Sequence, residues 1–339
     1  MKRIGLALML AAALLTTGCA RRGADAGKPA LPMPENTPAR LEMTAEPERT
    51  TAELVPDKLT RGGDGVPLLR VYDVDTERVE ELSVEAYLPS VLAGEMAGDW
   101  PMEALKAQAI LARTFVLQFV SQKESMYEGA DISTDIREAQ AYDPDGVNER
   151  IREAVAATRG MVLNAGGELP YAWFHAHSGG LTARAKEGLD YEKAEPGYTQ
   201  CVSGMEDGDA PPEAAMWEAD FTAEEVLAAA KEAGASMPEL TSIAVGQRGE
   251  SGRATTLLIA GKEVSAPAFR IAIGSTKMRS CLLESIDMQD GRVVMRGRGY
   301  GHGVGMSQWG AYAMAKQGKT AQEIVTHYFA GVKIDHAWK

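Results

Sequence analysis

Glu95 stands in a setting unusual for a surface carboxylate. It ends the apolar run Leu88-Pro89-Ser90-Val91-Leu92-Ala93-Gly94, and Met96 and Ala97 follow it. A carboxyl among apolar neighbours has a raised pKa and can donate a proton near neutral pH, as a general acid does. An ordinary carboxylate on a solvated helix end is the competing reading. His175 and His177 are two apart in a strand-like run, so they share a face. That suits a metal pair with Cys201 as a third ligand, and equally a pair of polar rim histidines. Ser178-Gly179-Gly180 beside them lacks the order and the elbow of a serine nucleophile. Gly297, Gly299, Gly301, Gly303 and Gly305 alternate through GRGYGHGVG. Such spacing lets a backbone approach a ligand closely, or makes a tight structural turn. No register gives G-x-G-x-x-G and no Gly-Lys-Ser/Thr follows, which excludes the common nucleotide loops. Gly305-x-Ser307 lacks the second glycine of a nucleophile elbow. His302, flanked by glycines, has no neighbouring side chains to shield it, which favours ligand contact over core packing.

These residues need elements to hold them. Asp99-Trp100-Pro101 breaks the chain after Glu95. Asp99 is placed to cap a second helix, about residues 101–121, with Pro101 in its first turn. Leu105, Ile110, Leu111, Phe115, Val116, Phe119 and Val120 cover most of that helix, so it is expected to be buried. Residues 67–74 read as the first strand, and 77–82 continue a hairpin. A polar loop, 123–146, precedes a helix from Asn148 to about Arg159, with Gly160 suited to its C-cap. Two strands are expected around Ala165-Gly166-Gly167, namely 161–164 and 168–174. Residues 183–220 read as acidic loop. Capping boxes at Thr222/Glu225 and Thr320/Glu323 start two later helices. Short strands and one short helix fill 241–296, and another helix is expected over 307–316. The fold class is α+β, with antiparallel hairpins and buried helices.

The chain has 339 residues, 45% of them hydrophobic, and a formal charge of −13. That balance argues against nucleic acid or an anionic membrane surface as the main partner. Residues 1–19 form an export leader: a basic start, an apolar stretch, then Gly18-Cys19. Leu15-Thr16-Thr17-Gly18-Cys19 resembles a bacterial lipobox, which implies a lipid on Cys19 and an anchor on the outer face of the cytoplasmic membrane. Residues 20–65, rich in Pro, Ala, Glu and Thr, read as a disordered tether, and 66–339 as the globular part, with a lobe boundary near 205–222. No later segment is long and apolar enough to span a bilayer. Cys201 and Cys281 fit one bridge or two free thiols equally well.

Three segments in order, Leu88–Phe115, Phe174–Thr182 and Gly297–Ala311, resemble the stage II sporulation protein D family, also called the SpoIID/LytB domain. Gln140-Ala141-Tyr142 and Arg159–Leu163 fit it too, and the similarity spans about 68–334. The resemblance implies a peptidoglycan lytic transglycosylase acting on strands stripped of stem peptides. Its catalytic acid is Glu95, in Gly94-Glu95-Met96. His175, His177, Ser178, Gly179, Gly180, Thr182, Tyr198, Gly301, His302, Gly303 and Gln308 would line a glycan-binding groove. Implied partners are a cell-wall amidase (stage II sporulation protein P), stage II sporulation protein M and the membrane through the lipid anchor, with no nucleic acid. No cofactor is expected: where some members carry zinc ligands, residues 131–140 hold neither Cys nor His. The alternative is a glycan-binding module that enhances an amidase.

Overall fold

The computed structural model describes residues 54–339. The leader, the lipid site Cys19 and the tether up to residue 53 lie outside the described residues. The tether ends sooner than its composition suggests. Leu54, Val55 and Leu59 are buried in the main hydrophobic cluster, and this apolar spacing anchors the segment to the core.

Strands β1 (Leu68–Asp73) and β2 (Arg78–Ser83) form the expected antiparallel hairpin. Ser83 caps α1 (Val84–Glu95), its hydroxyl oxygen accepting from the Ala86 N–H at 3.2 Å. Val84, Tyr87, Leu88, Val91 and Leu92 recur at helical spacing and are fully buried, so α1 presents one apolar face to the core. Helix α2 (Met102–Gln122) is the central helix, buried on most of its circumference as its sequence requires. Each fully buried Leu or Val there contributes roughly 1.5–3 kcal/mol. Asp99 does not cap it: Pro101 holds the cap position with no side-chain bond, and Asp99 stays exposed.

The loop after α2 contains an unexpected strand, β3 (Ile132–Ser133), parallel to β1. Helix α3 (Glu149–Ala157) is capped by Asn148, which accepts from the Ile151 N–H. Gly160 follows with φ +70, where a Cβ would strike the Trp338 carbonyl oxygen. Strand β4 (Met161–Asn164) comes next, then β5 (Phe174–His175). The hairpin expected between 161–164 and 168–174 is reduced to one antiparallel bridge, Ala165 to Glu168, around Gly166-Gly167. Pro170 has no amide hydrogen to continue a ladder, and only Phe174 of the second run enters a strand.

Two short helices, α4 (Ala185–Leu189) and α5 (Pro212–Ala215), lead to β6 (Met216–Thr222), in a region read as loop. Helix α6 (Ala223–Glu232) starts from the expected capping box. A small antiparallel sheet, β7 (Ile243–Val245), β8 (Thr256–Ile259) and β9 (Lys262–Ser265), precedes α7 (Ala266–Ile273). Strands β10 (Leu283–Gln289) and β11 (Arg292–Arg298) pair antiparallel, and β11 pairs with β6 on its other edge. Then come β12 (Met306–Ser307), α8 (Gln308–Lys316), α9 (Ala321–Tyr328) and β13 (Lys333–His336). The architecture is α+β, with helices and small, mainly antiparallel sheets. Strand β13 pairs with β4, and β12 runs parallel to β5.

Side chains of α1, α2, α3 and α9 form one hydrophobic cluster with Leu54, Val55, Leu59 and Trp338 around them. A second gathers Trp217, Phe221, Phe269, Val293 and their neighbours. The segments with chemical promise run between the two.

Candidate active site

Glu95 is the last residue of α1, half-buried, and Met96 caps the helix through its N–H on the Leu92 carbonyl. Its Oε1 accepts the Ala141 N–H at 2.8 Å. Gly94 makes that contact possible: a Cβ there would lie 2.7 Å from the Ala141 carbonyl carbon and 2.8 Å from the Tyr142 nitrogen. Both atoms are backbone, so neither can yield cheaply. Burial raises the Glu95 pKa to about 7, against the opposing pull of the Ala141 N–H. With Oε1 occupied as an acceptor, the acidic proton belongs on Oε2. No protein donor reaches Oε2 among the described residues.

Gln308 joins the Glu95 backbone to the rest of the site. Its Nε2 donates to the Glu95 carbonyl at 3.2 Å. Gln308 opens α8, whose N-cap is Ser307; the Ser307 hydroxyl accepts from the Gly310 N–H. The two remaining motifs lie side by side. His177 and Tyr300 exchange backbone hydrogen bonds, β5 pairs with β12, and Ala183 bridges to Val304. The alternating glycines serve this approach. A Cβ on Gly301 would lie 2.6 Å from His175 Cβ, and one on Gly303 would enter the Arg253 guanidinium.

The histidines are mostly committed inward. His175 is buried, and its Nδ1–H donates to the Val304 carbonyl at 3.1 Å. Its Nε2 is buried without a partner. Burial, with His302 and Arg253 nearby, holds His175 neutral well below the usual imidazole range. His177 Nδ1 accepts from the Gly179 N–H at 2.9 Å, which places its proton on Nε2. Burial lowers its pKa, against the charge of Glu206. His302 Nδ1 accepts from the Val304 N–H, and its pKa is pushed to about 3 by burial and by the charges of Arg270 and Arg253. Its ring centroid lies 5.8 Å from that of His175.

Ser178 is fully buried. Its hydroxyl donates to Glu206 Oε2 at 2.9 Å and its N–H to Oε1 at 2.5 Å. Ser307 donates to the same Oε1 at 2.6 Å. Burial acts to raise the Glu206 pKa, but the two hydroxyls and the Ser178 N–H more than offset it, so Glu206 stays ionised. Thr182 is buried, its hydroxyl shared between the Gln200 carbonyl and the Val202 N–H. Gly179 and Gly180 take positive φ, and Gly180 faces solvent. Tyr198 sits beside Phe329, its hydroxyl oxygen accepting from the Tyr171 N–H. The structure therefore connects Glu95, Gln308, Ser307, Ser178 and the His175–His177 and Gly301–Gly303 segments. No hydrogen bond joins Tyr198 to that chain among the described residues.

Sequence reading missed Glu206 and Ala141. Glu206 lies among several acids, Asp207 and Asp209 included, with no pattern to single it out. Ala141 acts through its backbone, which no residue type reveals. Metal readings find no donor set. His175, His177 and Cys201 do not cluster, and no group of three or more His, Cys, Asp or Glu could hold an ion among the described residues. In the loop 131–140, Asp131 is engaged by Arg70, and Asp135 by Arg137 and Tyr127. Cys201 and Cys281 are free thiols. A cleft of about 500 Å³ lies along α1, lined by Pro89, Ser90, Pro144, Val147 and Arg152 among others; Glu95 does not line it.

A family model described as stage II sporulation protein matches residues 72–164, which include Glu95 and Ala141. A model for a domain of unknown function matches 204–305. An uncharacterized protein of Brachyspira hyodysenteriae is 30% identical over 256 residues, 76% of this chain and 67% of that protein. Stage II sporulation protein D of Bacillus subtilis is 29% identical over 287 residues, 79% of this chain and 78% of that protein. An amidase enhancer of Bacillus subtilis is 25% identical over 291 residues, 73% of this chain and 40% of that protein.

Proposed function

This chain belongs to the stage II sporulation protein D family, and from that premise we propose that it remodels the cell wall during sporulation by cutting peptidoglycan glycan strands as a lytic transglycosylase. The observation that carries the reading is Glu95: one carboxyl, its pKa raised to about 7 and its Oε2 open. Ordinary glycosidases need two carboxylates, an acid and a nucleophile or base. A lytic transglycosylase needs one. Protonated Glu95 donates through Oε2 to the oxygen linking N-acetylmuramic acid to N-acetylglucosamine. That C1–O bond breaks and the N-acetylglucosamine leaves as an alcohol. The resulting carboxylate then takes the proton of the C6 hydroxyl on the same muramyl sugar. The C6 oxygen closes on C1 and gives a 1,6-anhydro end, with no water consumed.

The reading extends to strands stripped by an amidase such as stage II sporulation protein P, to stage II sporulation protein M as a partner, and to export with a lipid on Cys19. A second reading draws on the relative named an amidase enhancer: a glycan-binding module without cleavage. Mass spectrometry of denuded glycan strands, incubated with the wild-type chain and with Glu95→Gln, separates them. Anhydro-muramyl ends from wild type alone are expected. Reducing ends would mean hydrolysis, and no products with binding intact would favour the enhancer.

A further inference from the structure

Three aromatic side chains gather where the chain leaves Glu95. Trp100 lies five residues beyond it, in the turn between α1 and α2. On α8, Trp309 directly follows Gln308, whose amide reaches the Glu95 carbonyl, and Tyr312 lies about one turn further along. Trp100 and Trp309 have centroids 4.7 Å apart at 50°, Trp100 and Tyr312 5.2 Å at 75°, and Trp309 and Tyr312 5.2 Å at 56°. Trp309 is 8% exposed, and its backbone N–H donates to the Ala176 carbonyl between the two histidines. It is the fixed floor. Trp100 and Tyr312 are only half-buried. The Arg150 guanidinium holds the Trp100 carbonyl at 2.7 Å, so this turn is braced although the ring is partly open.

Half-open aromatic rings on a braced turn need an occupant with an apolar face and a polar rim. A pyranose ring is such a body: its axial C–H groups lie against the π face while its hydroxyl and acetamido groups point to water. Two cations stand at the cluster among the described residues: Lys316, its Nζ 5.6 Å from the Tyr312 centroid and engaged by Asp209, and Arg150 on the Trp100 carbonyl. Both cations are already engaged, Lys316 by a carboxylate and Arg150 by a main-chain carbonyl, which leaves the half-open rings to an apolar ring face. We propose that Trp100 and Tyr312 form a stacking subsite for an N-acetylhexosamine of the glycan strand, beside the bond presented to Glu95. This subsite rests on the glycan-cleaving reading of the Glu95 site.

The test uses the full chain carrying Glu95→Gln, so that no ligand is consumed, titrated with neutral β-1,4-linked N-acetylglucosamine hexamer. Tryptophan fluorescence and calorimetry report binding. Saturable binding with a fluorescence change is expected. Adding Trp100→Ala should weaken it about tenfold, and Trp100→Tyr should keep most of it. Tyr312→Ala, which leaves Trp100 in place, should weaken it severalfold. No binding of the hexamer, or equal affinity in the parent and both alanine variants, overturns the subsite. Product analysis of the chain with native Glu95 is read separately. Anhydro products with hexamer affinity indifferent to Trp100 leave the cleavage reading standing without the subsite. Trp100-dependent binding with no anhydro products leaves the subsite standing without cleavage.

Discussion

At the scale of the residue, the proton on Glu95 is the one the proposed reaction depends on, and it leaves a mark on stability. The carboxyl's ordinary pKa of 4.5 is raised to about 7 in the folded chain by burial. The folded state thus binds this proton more tightly than the unfolded state. The stability contributed by the site is full below about pH 4.5 and is lost as pH rises through about 7. Glu95→Gln mimics the protonated form. Urea unfolding should find it equal to wild type at pH 4 and more stable at pH 8, by up to about 3 kcal/mol. On the proposed reaction, which starts from the protonated acid, the rate of anhydro-muramyl formation should fall about tenfold per pH unit above about 7. A basic limb near 4.5, with no stability gain for the variant at pH 8, would mean that the carboxyl is not held in its acidic form.

At the scale of the element, what the sequence could announce was whatever repeats along one segment. The faces of α1 and α2 follow from apolar spacing, and Ser83, Asn148, Thr222 and Thr320 mark helix starts through their own hydroxyl or amide groups. The strands β3, β6 and β13 were not read, because their partners lie far away: β13 pairs with β4 across some 170 residues. Trp217, Ala219 and Phe221 do alternate in β6, a signal masked by the acids between them. The site divides the same way. The apolar setting of Glu95 was legible from its own neighbours, though a solvated helix end competed with it until the family resemblance singled it out, whereas its hold on Ala141 and the bridging role of Glu206 exist only after folding. Glu206 binds the Ser178 segment to the N-cap of α8, and α8 carries Gln308 to Glu95. Glu206→Ala would leave two hydroxyls and one buried N–H without their acceptor. A loss of roughly 2–4 kcal/mol in urea unfolding is expected; a change below about 0.5 kcal/mol would show that water replaces the carboxylate without cost.

At the scale of the molecule, the buried cations show how distant segments are locked together. Arg253 comes from the loop between β7 and β8 and donates to the carbonyls of Ser178 at 2.5 Å and Leu181 at 2.8 Å. Arg113 does the same for the first cluster. It is fully buried on α2 and makes a two-pronged pair with Glu85, at 3.0 and 2.8 Å. Its remaining donors reach the Met161 and Val155 carbonyls. Glu85 also accepts from the Gly160 N–H and from Trp338 Nε1, 253 residues away. One carboxylate therefore ties the start of α1, the middle of α2, the turn after α3 and the end of the chain. Removing only that carboxylate strands a charge in the core, which costs far more than the pair itself contributes. Glu85→Ala should lower unfolding free energy by about 3–5 kcal/mol. Glu85→Ala combined with Arg113→Met removes the stranded charge and keeps most of the volume, so it should recover a substantial part of that loss. Urea unfolding of the two single variants and the double closes the cycle. If the double variant is as unstable as the sum of the two single changes, the residues act independently and the carboxylate does not compensate the Arg113 charge.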